Sequence, residues 1–209
     1  MEEKKREFLK SAAEVYLKYG IKSVTMDEMA RQLGVSKKTI YQFVKDKNDL
    51  VEQCLVLTHL EEDEVIQGIM DSNENAIDQL LGISRFIITQ LRKVHPSIFF
   101  DLAKYHPSAM KLMDNHKNTY VCGCIEQNLK NGIDQGLYRK NMNPSVISMM
   151  YVGMIDMLMN GEITRSSELR PDEVYSEMFR YHIRGCASEK GIKYLQELTK
   201  KDNSLDLGV

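Results

Sequence analysis

Turn-forming residues are scarce. The chain holds 12 glycines and 4 prolines in 209 residues, below the roughly 12% that average usage would supply. So few breakers predict a mostly helical chain. All four prolines, Pro96, Pro107, Pro144 and Pro171, lie in the second half, each opening an apolar-periodic stretch. Proline's fixed φ suits a first helical turn, and the four read as helix starts. Cysteine is scarce too: Cys54, Cys122, Cys124 and Cys186 form neither a disulfide framework nor the paired C-x-x-C spacing of zinc. Long apolar runs are missing. Val146 to Met159 covers 14 residues with Asp156 inside, short of the roughly 20 a membrane helix requires. The opening MEEKKREFLK is too charged for a secretory signal. A cytoplasmic protein with no membrane contact is expected. Nor is there a glycine-rich phosphate loop, a G-x-S-x-G, an H-E-x-x-H or a histidine pair at i, i+4. No enzymatic activity, cofactor or metal is expected.

What is present is a globular composition, 43% hydrophobic and 28% charged, which excludes a disordered chain. Charge is divided unevenly. Residues 1–47 carry 11 Lys and Arg against 7 Asp and Glu, and the remainder 17 against 23. A basic head on an acidic body suggests a polyanion-binding unit joined to a domain with another task.

The head carries local signals in quick succession. Phe8, Ala12, Val15, Tyr16 and Tyr19 recur at helical spacing over Glu2 to Tyr19, and Gly20 stops that helix. Thr25-Met26-Asp27-Glu28 has the form of a capping box, so a second helix should start at Met26. Its buried face would be Met26, Met29, Ala30 and Leu33, with Gly34 as the left-handed C-terminal residue. Ser36 follows as another N-cap, leading a third helix from Lys37 to Val44. Ile40 and Val44 would face inward, and Lys37, Lys38, Thr39, Tyr41 and Gln42 would be left for a partner. Two short helices joined by a glycine-containing turn describe a helix-turn-helix, whose second helix enters the major groove of DNA. Lysines and hydroxyls are natural partners for phosphates and base edges. Asp46 should cap a fourth helix, and Lys47 in its first turn opposes the helix dipole. A bound phosphate would resolve that misfit; a solvated lysine is the plainer alternative.

Thr25 to Ala30, Leu33 to Phe43 and Lys47 to Leu50 together resemble the N-terminal DNA-binding domain of the TetR family of transcriptional regulators. The A-x-x-x-G-V-S turn, the T-[IL]-Y recognition helix and the K-x-x-L opening of a long connecting helix carry the likeness, which covers about residues 1–55. The resemblance implies an all-α fold: a three-helix DNA-binding domain over 1–50, a connecting helix over about 47–70, and a larger helical effector-binding and dimerisation domain over 51–209. It implies DNA contacts from Thr25, Lys37, Lys38, Thr39, Tyr41, Gln42 and Lys47. Phe43 departs from the family pattern, because it lacks the hydroxyl that often meets phosphate there.

Beyond residue 50 the pattern predicts helices over Leu50–Met70, Ile77–Val94, Pro96–Lys104, Pro107–Gln135, Pro144–Glu162, Pro171–Ala187 and Lys190–Lys200, then a polar tail. The resemblance assigns dimerisation to the Pro144 and Pro171 helices, with Met150, Met154, Met157, Leu158, Met178 and Tyr181 as candidates. A monomer core is the alternative use of so apolar a pair. Methionines crowd the region after residue 109. They suit a cavity for a flexible ligand, or simply a helical core. Phe99, Phe100, Met113, Tyr120 and Tyr151 are the candidate walls for a small apolar or aromatic effector, with Tyr105, His106 and His116 as further possibilities. The expected protein is a homodimeric, repressing regulator that binds a pseudo-palindromic double-stranded DNA operator and is released by that effector. A helical adaptor that binds only protein would have no use for Lys37, Lys38 and Tyr41 beside a capped turn.

Overall fold

A computed structural model describes residues 2–72, 74–159 and 169–201. The head comprises α1 (Glu2–Tyr19), α2 (Met26–Leu33), α3 (Lys37–Ile40) and the start of α4 (Lys47–Met70). The body adds α5 (Ala76–Leu91), α6 (Ile98–Tyr105), α7 (Pro107–His116), α8 (Cys122–Asp134), α9 (Pro144–Met159), α10 (Pro171–Cys186) and α11 (Glu189–Lys201). A π-helical turn over Lys117–Val121 joins α7 to α8, making one interrupted helical run over 107–134. No strand occurs among the described residues; Tyr138 and Ala187 form an isolated bridge. Residues 160–162 of the predicted Pro144 helix and the tail from residue 202 lie outside the described residues.

Three prolines open helices as expected, at Pro107, Pro144 and Pro171. Pro96 does not. It sits in the turn before α6, which starts two residues later at Ile98. The third helix is also shorter than predicted. Its regular part ends at Ile40 and residues 41–43 continue as turns, although Val44 still reaches the core. On α1, Tyr19 is exposed and Leu9 takes its expected place inside.

Two apolar clusters organise the molecule. Leu9, Ala12, Tyr16, Met29, Ile40, Val44 and Leu50 pack the head, and this cluster extends without a break to Ile98 and Leu102 of α6 and Ala109 and Met113 of α7. The second cluster gathers α5, α8, α9, α10 and α11 around Leu80, Leu129, Tyr151, Phe179 and Leu195. Helix α6 therefore belongs by packing to the head and by sequence to the body. Gly20 marks that junction: its φ is +79°, and a Cβ there would lie 2.7 Å from Ser97 Oγ, so any side chain would be strained and crowded.

Candidate functional site

The helix-turn-helix is built from caps. Thr25 Oγ1 accepts from the Glu28 amide at 3.1 Å and starts α2. The reciprocal half of the expected box is not made, because the Glu28 carboxylate turns to Arg31 (2.6 Å) and Gln32 (2.7 Å). Gly34, at φ 64°, ends the helix. The amides of Gly34 and Val35 return to Arg31 O (3.3 Å) and Ala30 O (3.0 Å), a pairing that satisfies the last carbonyls. Ser36 Oγ then accepts from the Thr39 amide at 3.1 Å. With Ile40 and Val44 buried, α3 presents its other side to solvent.

On that side stand Lys37, Lys38, Gln42 and Tyr41, the last 47% exposed. Thr25 is exposed beside them. Thr39 is half-buried, and its hydroxyl lies 2.8 Å from Ser36 Oγ. Lys37 is held by Asp27 at 3.0 Å, which raises its pKa. Phe43 stacks on Phe8 with ring centroids 5.1 Å apart. Its missing hydroxyl is thus matched by a packing role between α1 and the recognition helix.

Lys47 differs from expectation. It is half-buried, and its ammonium donates to Ile21 O (2.7 Å) and lies 3.4 Å from Lys22 O. Two backbone carbonyls of the loop between α1 and α2, not a phosphate, resolve the misfit of a cation at the start of α4. Burial lowers its pKa, with Asp101 opposing. Asp46 caps this helix as predicted, accepting from the Asp49 amide at 2.9 Å.

The last turn of α1 and the same loop are held by the segment around α6. The His95 amide donates to Leu17 O (2.9 Å), and the buried Asp101 carboxylate accepts from the Lys22 amide (2.9 Å) and Ser97 Oγ (3.1 Å). His106 Nδ1 lies 2.7 Å from Asn48 Oδ1 in the first turn of α4.

Behind α6 a cavity of about 150 Å³ is enclosed by residues from α4 through α10. Four of the five predicted wall residues line it: Phe99, Met113, Tyr120 and Tyr151. Phe100 does not. It is partly exposed on the outer side of α6, edge-on to Tyr105 at 6.3 Å and under the Lys104 ammonium. Tyr105 and His106 also lie outside the cavity, engaged with Lys22 and Asn48 respectively. The methionines divide among three settings: Met113 and Met159 line the cavity, Met110, Met142, Met154 and Met178 pack in or against the apolar clusters, and Met149, Met150 and Met157 face outward.

His116, the third of the further candidates, does line the cavity, but sequence reading missed the polar groups that α4 adds to the wall. His59, Glu62, Asp63 and Ile66 fall at i, i+3, i+4 and i+7 of α4 and all line the cavity. Charged residues at positions normally apolar in an amphipathic helix are the signal that could have found them. His116 Nε2 meets Asp63 at 2.8 Å, and His59 stacks on the His116 ring at 4.0 Å. Burial, with His116 adding to it, pushes His59 down to about 4. Tyr120 donates to Asp63 O at 3.0 Å. The buried Lys117 opens the π-helical turn, its ammonium shared between Asp114 (3.0 Å) and Asp156. Tyr151 and Tyr175 join their hydroxyls at 3.0 Å, and burial raises both.

A second feature lies on the outer face of α9 and α10. Met149 and Met150 are 57% and 58% exposed, Tyr181 is 74% exposed, and Val146 and Met157 stand beside them. An open groove lined by Met150, Met154 and Tyr181 runs between the two helices. Leu158 and Met178, also predicted for this face, are instead buried in the protomer, and Leu158 lines the cavity. Helical phase explains the Leu158 position: it lies three residues after Ile155 and seven after Tyr151, on the inward face of α9, whereas Met149, Met150 and Met157 occupy the outer face.

Residues 8–54 match the family model for bacterial regulatory proteins of the tetR family. The HTH-type transcriptional regulator YhgD of Bacillus subtilis, itself uncharacterised, is 26% identical over 164 residues, covering 73% of this chain and 83% of that protein. A candidate transcriptional regulator from Saccharomonospora viridis, solved in complex with choline, superposes with a TM-score of 0.72 at 15% identity, covering 90% of this chain and all of that one. The SmeT–triclosan complex superposes at 0.65 and 14% identity over 89% of this chain and 93% of that chain. Among the described residues no helix is long and apolar enough to cross a membrane. Together with the capped helix-turn-helix, the match over residues 8–54 identifies the head as a DNA-binding domain of the tetR family of bacterial regulatory proteins.

Proposed function

We propose that this regulator is a homodimeric repressor whose operator binding is relieved when a small molecule occupies the cavity behind α6. Residues 1–50 form the DNA-binding unit, α4 connects it to the rest, and residues 51–209 hold the effector and the dimer interface. Thr25, Lys37, Lys38, Thr39, Tyr41 and Gln42 are the proposed DNA contacts, with Lys47 fixing the loop behind them. The observation that carries the reading is the position of α6. Phe99 lines the cavity, while Ile98, Asp101 and Leu102 of the same helix touch the head. A ligand that displaces Phe99 must move groups that hold the loop between α1 and α2. The Saccharomonospora and SmeT structures, each solved with a small molecule, support a ligand-responsive reading.

Dimerisation is assigned to the exposed stripe of Val146, Met149, Met150, Met157 and Tyr181, with Met154 in the groove between α9 and α10. An apolar stripe of this kind is unusual on a monomer and suits a partner helix. Two heads related by a two-fold axis would read half-sites roughly 34 to 36 Å apart, or a multiple of that spacing. The test is electrophoretic mobility of the promoter beside the protein's own gene, followed by effector titration with and without that DNA. Linkage requires the operator to weaken effector binding by the same factor that the effector weakens operator binding. Equal effector affinities in the two titrations overturn release as the mechanism.

A further inference from the structure

The charges on the cavity wall do not balance. Asp63 is engaged by His116 at 2.8 Å. Lys117 has its charge met by Asp114 and Asp156. His59 is neutral near pH 7, because burial holds it near 4. Glu62 remains: it lines the cavity, and no described residue gives it a hydrogen bond or an ion pair. A half-buried carboxylate beside a second acid and with no counter-charge is costly to the folded protein. Burial and the neighbouring Asp63 push its pKa up to about 7.

Each class of occupant meets this wall differently. An anion would face Glu62 and Asp63 with no free cation among the described wall residues to receive it. A hydrocarbon would leave the carboxylate unpaired. An ammonium group would supply the missing charge and a donor, and the Phe99 and Tyr120 rings on the wall add surface of the kind that holds cations. The volume limits the rest of the molecule, since a cavity of about 150 Å³ accommodates a single benzene-sized ring. We propose that the effector is a small organic cation, an amine on one compact apolar or aromatic body, with its nitrogen seated against the Glu62 carboxylate. This inference rests on the cavity being the effector site.

The test is calorimetric titration of the full chain at pH 8 with three probes of similar size: benzylamine, benzyl alcohol and benzoate. Benzylamine is expected to bind at least about tenfold more tightly than benzyl alcohol, with benzoate weakest. Glu62→Gln, which keeps the volume, should shrink the amine preference to within about twofold while leaving benzyl alcohol unchanged. Benzyl alcohol or benzoate binding the wild-type chain as tightly as benzylamine overturns the cationic assignment and leaves the effector cavity standing. A Glu62→Gln variant that keeps the full amine preference does the same. Failure of all three probes to bind overturns the effector reading and the cationic assignment together. The wild-type comparison decides the question even if the variant folds poorly.

Discussion

In the helix-turn-helix head, Thr25, Ser36 and Asp46 each cap an amide three residues away. In the body, Asp63 and His116 meet across 53 residues, and the cavity draws on every helix from α4 to α10. The head leaves most of its polar groups at the surface, where water or phosphate can satisfy them, with Tyr16 Oη, buried and without a partner, as an exception. The body encloses its polar groups in an apolar setting, where each must find a partner or remain costly. A surface made this way tolerates exchange of partners and suits a polyanion. A cavity made this way discriminates, because one unpaired group selects among occupants.

The largest expected effect separates the two faces of α9. Placing charges at the exposed Met150 and Met157, as Met150→Glu with Met157→Glu, should leave the protomer folded and break the dimer. Operator affinity would then fall by about 100-fold or more, because the second head no longer binds as part of one molecule. Light scattering should report the 24.1 kDa chain mass in place of twice that value, and mobility shifts should report the lost affinity. Leu158→Glu, four residues from Met154 but buried, should instead unfold the body. If the double variant remains a dimer, the stripe is not the interface.

The second contrast is in pH dependence, and the signs oppose. Glu62, with its pKa raised from 4.5 to about 7, binds its proton more tightly when folded. Its contribution is full below about 4.5 and is lost as pH rises through 7. His59 and His182, lowered from 6.5 to about 4 by burial, contribute fully above about 6.5 and lose that contribution as pH falls toward 4. Glu62→Gln should therefore stabilise the chain by roughly 1 to 3 kcal/mol at pH 8 and by little at pH 4.5. Denaturant unfolding at the two pH values measures the difference. An equal effect at both would mean that Glu62 is well solvated.

Caps offer a smaller test of local against long-range construction. Asp46→Ala removes one cap at the head and should cost about 1 kcal/mol. Asn75→Ala should cost more. Asn75 accepts from the Ile77 and Asp78 amides and also donates to Tyr194 Oη, 119 residues away, at 3.1 Å. Equal losses in thermal or denaturant unfolding would show that the tertiary bond adds nothing to the cap.

The same division explains what is legible in the sequence. Thr25, Gly34, Ser36 and Asp46 act within a few residues of themselves, and spacing alone discloses the three turns they govern. Helix α4 is predicted over about 47–70 from the Asp46 cap and is observed over Lys47–Met70 for the same reason. The capping box is only half right because Glu28 has competing partners in Arg31 and Gln32. Aromatic wall residues are found by type, yet Phe99 and Phe100 are neighbours and only the first points inward. Helical phase decides between them, and the register of so short a helix is not readable from sequence. His116 is found by type alone, while His59, Glu62 and Asp63 escape such a reading because pairing between distant helices leaves no periodic trace.

The smallest effects concern the lysines of the head, and they separate surface contact from internal support. Lys38 is exposed, while Lys37 must release Asp27 before it can serve a phosphate. If each contacts one phosphate, Lys37→Ala and Lys38→Ala should each lower the slope of log affinity against log salt by about 1. Lys37→Ala should cost less affinity, since its ion pair with Asp27 already offsets part of its charge. Asp27→Asn should correspondingly strengthen binding to any duplex by freeing Lys37. Lys47→Ala should behave differently, leaving the salt slope unchanged and lowering the head's stability, because its ammonium is committed to the Ile21 and Lys22 carbonyls. Salt titrations of operator binding, read beside unfolding curves, tell the two roles apart. A slope that falls by about 1 for Lys47→Ala with unchanged stability would return Lys47 to the phosphate contacts and leave the loop to be held by Asp101.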